Sequence, residues 1–88
     1  MRVIYTQAIT RDVRKVKDKK VIDRVATVVR QLEAASSLNE LSAVKKMAGY
    51  ATAYRIRVGG YRLGFYYEDD HVVLARFLKR SDIYQVFP

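Results

Sequence analysis

Residues 54–67 read YRIRVGGYRLGFYY, and this stretch decides the fold. Apolar and polar side chains alternate on both sides of the Gly59-Gly60 pair, as they do along strands of a half-buried sheet. Two such runs joined by two glycines are typical of a β-hairpin with a type I′ or II′ turn. The sequence therefore predicts strands at 54–58 and 61–67.

The hairpin register predicts which side chains face each other across the two strands. With the two glycines in the turn, Arg57 lies opposite Arg62 and Arg55 lies opposite Gly64. Like charges directly opposite each other in a sheet are unfavourable by about 0.2–1 kcal/mol. A phosphate between the guanidinium groups would remove this repulsion, because guanidinium binds phosphate oxygens in a bidentate manner. Gly64, which has no side chain, would leave open space beside Arg55. The alternative to a phosphate site is an ordinary solvent-exposed face of the sheet, on which the arginines are hydrated.

Outside the hairpin, the spacing of apolar residues changes from that of a strand to that of a helix. Thr6 or Thr10 is a suitable N-cap for the first helix. The predicted elements are a short strand at 1–5, helices at 8–17 and 19–35, a turn at Asp69-Asp70, a strand at 71–77 and an extended segment at 81–88. The basic residues of the second helix that lie outside its row of apolar residues, Arg24 among them, are interpreted as a solvent-exposed face.

This order of elements predicts an α+β fold. It consists of a short N-terminal strand, two helices, and a twisted antiparallel sheet of three to four strands against which the helices pack. A chain of 88 residues has room for one small core. We therefore expect residues 1–88 to form a single domain.

Composition narrows the classes of function. The chain has no cysteine and one histidine, His71, so we expect no disulfide framework, no metal site, no Ser/His/Asp chemistry and no small-molecule cofactor. It has neither an apolar run of about 18 residues nor a secretory leader pattern, so we expect no membrane partner and a cytoplasmic location. The net charge of +8 exceeds what solubility requires and indicates a polyanionic partner.

Further cations and a tyrosine flank the hairpin in the sequence. Lys45-Lys46 precede it, Lys79-Arg80 follow the last strand, and Tyr84 comes four residues after Arg80. Either basic pair taken alone is typical of ordinary surface charge. A tyrosine ring beside arginines also suits stacking on an unpaired base, which is worth about 1–3 kcal/mol per base.

Three segments resemble the RelE/ParE superfamily of bacterial toxins from type II toxin-antitoxin modules. They are KMAGY at 46–50, YRIRVGGYRL at 54–63 and KRSDIY at 79–84. The resemblance covers nearly the whole chain and implies a RelE-like fold. The hairpin is shared with gyrase-directed ParE-like members, so it identifies the superfamily better than the activity. The chain resembles the RelE branch more closely, whose members cleave messenger RNA in the ribosomal A site.

Carried over by motif, the resemblance implies a role for Arg55, Arg57, Arg62, Arg80 and Tyr84, and the basic residues that flank the hairpin add Lys45, Lys46 and Lys79. The catalytic group is Arg57, Arg62, Arg80 and Tyr84, and the RNA-binding group is Lys45, Lys46, Arg55 and Lys79. The implied activity is a metal-independent endoribonuclease in which the 2′-hydroxyl attacks the adjacent phosphate. At Arg55 and Arg57, RelE-type toxins often have lysine, and guanidinium hardly ever deprotonates, so no general base is evident.

The resemblance also implies the partners, namely a cognate antitoxin, the ribosome and messenger RNA. The antitoxin is expected to cover the basic sheet face or displace the C-terminal segment. Two alternatives remain open at this stage. One is a ParE-like toxin that binds DNA gyrase without catalysis, and the other is a basic RNA-binding module without catalysis.

Overall fold

A five-stranded sheet forms the centre of the protein. A computed structural model describes all 88 residues, Met1–Pro88. The elements are β1 (Arg2–Tyr5), α1 (Gln7–Lys15), α2 (Lys19–Ala34), a 3-10 turn (Leu38–Glu40), β2 (Val44–Lys46), β3 (Ala53–Val58), β4 (Tyr61–Glu68), β5 (His71–Lys79) and α3 (Arg80–Ile83). The strand order is β1-β5-β4-β3-β2, with β1 parallel to β5 and every other pair antiparallel. The predicted α+β class is confirmed.

The central hairpin forms in the predicted register. Arg57 lies opposite Arg62, and Arg55 lies opposite Gly64. Gly59 has a φ of 59°, while Gly60 lies outside the left-handed region, which is the pattern of a type II′ turn. The geometry of this turn therefore depends on glycine at its first position.

Both long helices pack on one face of the sheet and form the main core with it. Thr6 caps α1 as predicted, because its hydroxyl oxygen accepts a hydrogen bond from the Ile9 N–H at 3.2 Å. The buried residues of this core are Ile9, Val16, Val25, Leu32, Ile56, Val58, Leu63, Phe65, Val72, Leu74 and Phe77. None of the helices is both long enough and apolar enough to cross a bilayer.

The predicted extended segment at 81–88 is wrong. Arg80–Ile83 form the short helix α3, and the chain continues in turns over the sheet face opposite α1 and α2. Ile83 and Phe87 are four residues apart, and the Phe87 N–H donates to the Ile83 carbonyl at 2.8 Å. Both side chains are buried with Ala53 in a second apolar cluster. Helical spacing, which buries these two residues together, therefore prevails over an extended conformation.

Candidate functional site

Four basic residues lie around the Gly60 end of the hairpin. Arg57 and Arg62 are direct cross-strand partners. Lys79 ends β5 opposite the first residue of β4. The main-chain N–H of Arg80 donates to the Gly60 carbonyl at 3.0 Å, which fixes the start of α3 at the turn. We call Arg57, Arg62, Lys79 and Arg80 the turn cluster.

Arg62 is the buried member of the turn cluster. It is only 8% exposed. Its Nη1 donates to the main-chain carbonyls of Gly59 at 3.0 Å and Tyr61 at 2.9 Å. Its Nε is buried and has no hydrogen-bond partner. A buried charge and an unsatisfied donor are both costly, and no carboxylate of the protein forms an ion pair with Arg62 to offset that cost.

A shallow groove of about 460 Å³ lies beside the turn. Its lining residues are Gly60, Lys79, Arg80, Ser81 and Tyr84. Tyr84 is 45% exposed, so its ring is accessible to a ligand in the groove. An exposed ring next to two cations can stack on a base while the cations hold the adjoining phosphates.

Arg24 of α2 is a basic residue of this region that the sequence analysis placed on a solvated face. Its Nη1 lies 3.0 Å from the position that a Cβ on Gly59 would take. Arg24 and Arg57 also line one depression between α2 and β3. Nothing in the local sequence signals this approach, because it depends on how α2 packs against the hairpin.

The other predicted RNA-binding residues lie farther along the sheet. Lys45 of β2 is directly opposite Arg55 of β3, so these two cations share one face. Lys46 is opposite Tyr54, whose ring stacks on Phe65 of the core at 5.6 Å. Because successive strand residues alternate between faces, Lys46 lies on the opposite side of the sheet from Lys45.

The prediction that Gly64 leaves open space beside Arg55 is wrong. The ring of Phe87 occupies that space, and a Cβ on Gly64 would lie 2.6 Å from the Phe87 Cδ2. The sequence analysis did not anticipate this contact because it joins residues from β4 and the C-terminal segment. The face that carries Arg55 is therefore partly covered by the end of the chain.

A single ion pair is present, and it lies outside the turn cluster. Asp12 of α1, only 4% exposed, accepts hydrogen bonds from the Arg76 Nε at 2.8 Å and the Phe77 N–H at 2.9 Å. The hydrogen bond with Asp12 raises the pKa of Arg76 above its ordinary value. Arg76 therefore has a carboxylate partner, whereas no residue of the turn cluster forms an ion pair.

Known proteins are similar to this chain in sequence and structure. Residues 3–84 match the family described as the ParE toxin of the type II toxin-antitoxin system parDE. The chain is 34% identical over 89 residues to Toxin RelE3 of Methanocaldococcus jannaschii, and the alignment covers 100% of both chains.

Two crystal structures show the same fold. The RelB-RelE antitoxin-toxin complex of Methanococcus jannaschii matches with a TM-score of 0.81 and 31% identity, over 97% of this chain and 99% of that chain. The archaeal RelE-RelB complex of Pyrococcus horikoshii has a TM-score of 0.71 and 21% identity, over 92% of this chain and 96% of that chain. With the family match and the full-length relative, these findings show that the chain belongs to the RelE/ParE family of type II toxin-antitoxin toxins.

Proposed function

We propose that this toxin is a metal-independent endoribonuclease that cleaves messenger RNA on the ribosome. The observation that carries the proposal is the buried Arg62 guanidinium, whose Nε has no partner. Its cross-strand neighbour Arg57 forms no ion pair either, although Asp23 lines the same depression as Arg57. A phosphate of an RNA backbone has the charge and the acceptor oxygens that this arrangement lacks.

The proposed reaction uses the nucleophile that RNA carries. The 2′-oxygen forms a bond to the neighbouring phosphorus, and the bond from that phosphorus to the 5′-oxygen breaks. The proton of the 2′-hydroxyl leaves to the surrounding water, and the departing 5′-oxygen takes up a proton. The products are a 2′,3′-cyclic phosphate and a 5′-hydroxyl. No metal ion or cofactor enters this scheme.

The turn cluster supplies positive charge where the phosphorane develops. Arg57, Arg62 and Arg80 stabilise its equatorial oxygens, and removal of one positioned donor typically costs about 100- to 1000-fold in rate. Tyr84 stacks on the base beside the scissile phosphate and holds the nucleotide in line for attack. Lys79 binds the adjoining backbone.

The ribosome supplies the alignment that this small site lacks. The cluster consists of arginines and a lysine and contains no histidine or carboxylate to act as a general base, a contribution usually worth about 100- to 10,000-fold. Cleavage of free RNA is therefore expected to be weak. The net charge of +8 favours docking on ribosomal RNA phosphates, which brings the turn cluster to the messenger.

The direct test is cleavage in a reconstituted translation system, with the 5′ ends of the messenger mapped. Arg80→Ala is expected to slow cleavage about 100- to 1000-fold, because it removes one cation of the turn cluster. Arg11→Ala on α1 is the matched control, because it removes the same charge from an exposed position outside the cluster. Equal rates for Arg80→Ala and the unmodified protein would contradict the proposal.

Inhibition of DNA gyrase is the second candidate function, and the ParE description of the matching family favours it. Pulse labelling after induction separates the two. A ribonuclease stops protein synthesis first and fragments messengers, whereas a gyrase inhibitor stops DNA synthesis first and leaves transcripts intact. Early replication arrest with intact transcripts would reject the ribonuclease.

We propose a cognate antitoxin as the protein partner, since two of the structural relatives are complexes with RelB antitoxins. An apolar groove of about 420 Å³ between α1 and α2 offers Val13, Ile22 and Val29 to such a partner, and its charged lining residues are Arg14, Arg30 and Glu33. An amphipathic segment with acidic flanking residues complements this groove. Val29→Lys is expected to weaken the binding of a co-expressed antitoxin, measured by calorimetry, while Asn39→Lys, at an exposed position outside the groove, serves as a control.

A further inference from the structure

The C-terminal segment is held against the sheet by buried side chains at two points. Ile83 is completely buried, and Phe87 is only 3% exposed. Between them, the Val86 and Phe87 N–H groups both donate to the Ile83 carbonyl, at 3.1 and 2.8 Å. The segment therefore forms a compact turn whose apolar side faces the sheet.

Gly64 provides the place where this segment is attached. A Cβ on Gly64 would lie 2.6, 2.7 and 2.9 Å from three ring carbons of Phe87, a distance that real Cβ atoms do not adopt. Gly64 lies outside the left-handed region, so its backbone conformation does not itself demand glycine. The close approach of the Phe87 ring is what requires the missing side chain. The ring also contacts Tyr66, with centroids 5.3 Å apart.

The attached segment carries the exposed residues of the groove. At its beginning, the Arg80 N–H donates to the Gly60 carbonyl at 3.0 Å. At its end, Phe87 lies on Gly64. Tyr84 lies between these two points and directly follows α3. Tyr84 is exposed and lines the groove, and its main-chain N–H donates to the Asp82 carbonyl, so the backbone of the segment sets its place in the groove.

We propose that Phe87 is a positioning residue, and that its ring on Gly64 forms a lock that holds Tyr84 and Arg80 above the hairpin turn. This inference rests on the proposed ribonuclease function, because it assigns Phe87 a role in placing the groove residues against RNA. The lock acts through main-chain placement and does not touch the substrate. It explains why a glycine lies in the middle of a central strand, where glycine otherwise weakens a sheet.

The test combines hydrogen exchange with single-turnover cleavage on programmed ribosomes. Phe87→Ala is expected to raise exchange at the amides of residues 85–87 and at Arg80, and to slow cleavage about 100-fold, the cost of misplacing a reacting group by about 1 Å. Val86→Ala, at an exposed neighbouring position, is the matched control and is expected to alter neither readout.

A reciprocal pair of variants tests the contact itself. Gly64→Ala is expected to displace the ring and reproduce the effects of Phe87→Ala. Phe87→Leu is expected to retain most of the rate because it keeps an apolar side chain in place. The double variant Gly64→Ala/Phe87→Leu is expected to cleave faster than Gly64→Ala alone, because the smaller side chain leaves room for the added methyl group.

The two readouts separate the failure of this inference from the failure of the proposed function. Unchanged exchange in Phe87→Ala would overturn the lock. Raised exchange with an unchanged cleavage rate would overturn the positioning role. Absence of cleavage by the unmodified protein would reject the ribonuclease and with it the positioning role, whereas the exchange data would still decide whether the lock exists.

Discussion

Gly59 sets the geometry of the hairpin turn at the scale of a single residue. Its φ of 59° is a conformation that costs other L-residues about 1–2 kcal/mol, and a Cβ there would meet Arg24 at 3.0 Å. Gly59→Ala is therefore expected to lower the free energy of unfolding by about 1–2 kcal/mol, measured by urea denaturation. Gly60→Ala is the control, because its Cβ would meet nothing within 4 Å. Equal losses in the two variants would contradict this view of the turn.

Asp12 is a second residue with a specific structural role. Its carboxylate satisfies the Phe77 N–H and the Arg76 guanidinium at a part of β5 that β1 does not reach. Asp12→Ala would leave a buried N–H unsatisfied and is expected to cost about 1–3 kcal/mol of unfolding free energy. Asp23→Ala, at an exposed position on α2, is expected to change it by less than about 0.5 kcal/mol. Thermal denaturation of both variants checks the difference.

The pairing of Arg57 with Arg62 could be predicted from sequence, because a two-residue turn fixes every cross-strand partner. The burial of Arg62 could not, because the alternation of apolar and polar residues along the strand assigns an arginine to the solvent-exposed face. The sequence contains a weak indication that Asp12 is paired. Asp12 follows Ile9 by three residues and so lies on the apolar side of α1, where a carboxylate needs a partner. The sequence gives no indication that Arg76 is that partner.

At the scale of elements, the cap of α1 joins the helix to the sheet. Thr6 accepts a hydrogen bond from the Ile9 N–H and donates its hydroxyl to the Leu74 carbonyl at 2.8 Å. Thr6→Ala removes both bonds and is expected to cost about 0.5–2 kcal/mol of unfolding free energy. Thr10→Ala, at an exposed position one turn later, is expected to change it by less than about 0.5 kcal/mol. Similar losses for both variants in chemical denaturation would argue against the cap.

The elements that could be predicted are those with their own periodicity, namely the two long helices, the hairpin and β5. The sequence analysis missed β2, since three residues are too few to show alternation and their strand conformation depends on pairing with β3. It also gave no pairing for β1, because the parallel contact with β5 joins residues about 70 positions apart. The short helix α3 was missed because four residues show less than two turns of spacing.

At the scale of the whole molecule, the net charge of +8 predicts strongly salt-dependent binding to the ribosome. Arg57→Ala is expected to weaken binding and to reduce the slope of log affinity against log salt by about 1, because one phosphate contact is lost. Tyr84→Ala is the matched comparison, because it removes a stacking ring without removing charge. It is expected to weaken binding and leave the slope unchanged. A slope change in Tyr84→Ala, or none in Arg57→Ala, would contradict the assigned roles.

The central claim is that the Arg62 guanidinium binds a nucleotide phosphate. The most direct measurement follows its Nε–H by nuclear magnetic resonance while a short RNA with a 2′-deoxy nucleotide at the scissile position is added. The Nε of Arg76, bonded to Asp12 at 2.8 Å, is the internal control. We predict that the Arg62 resonance shifts to a saturating value while that of Arg76 stays in place. Binding of the RNA with no shift at Arg62 would contradict the account.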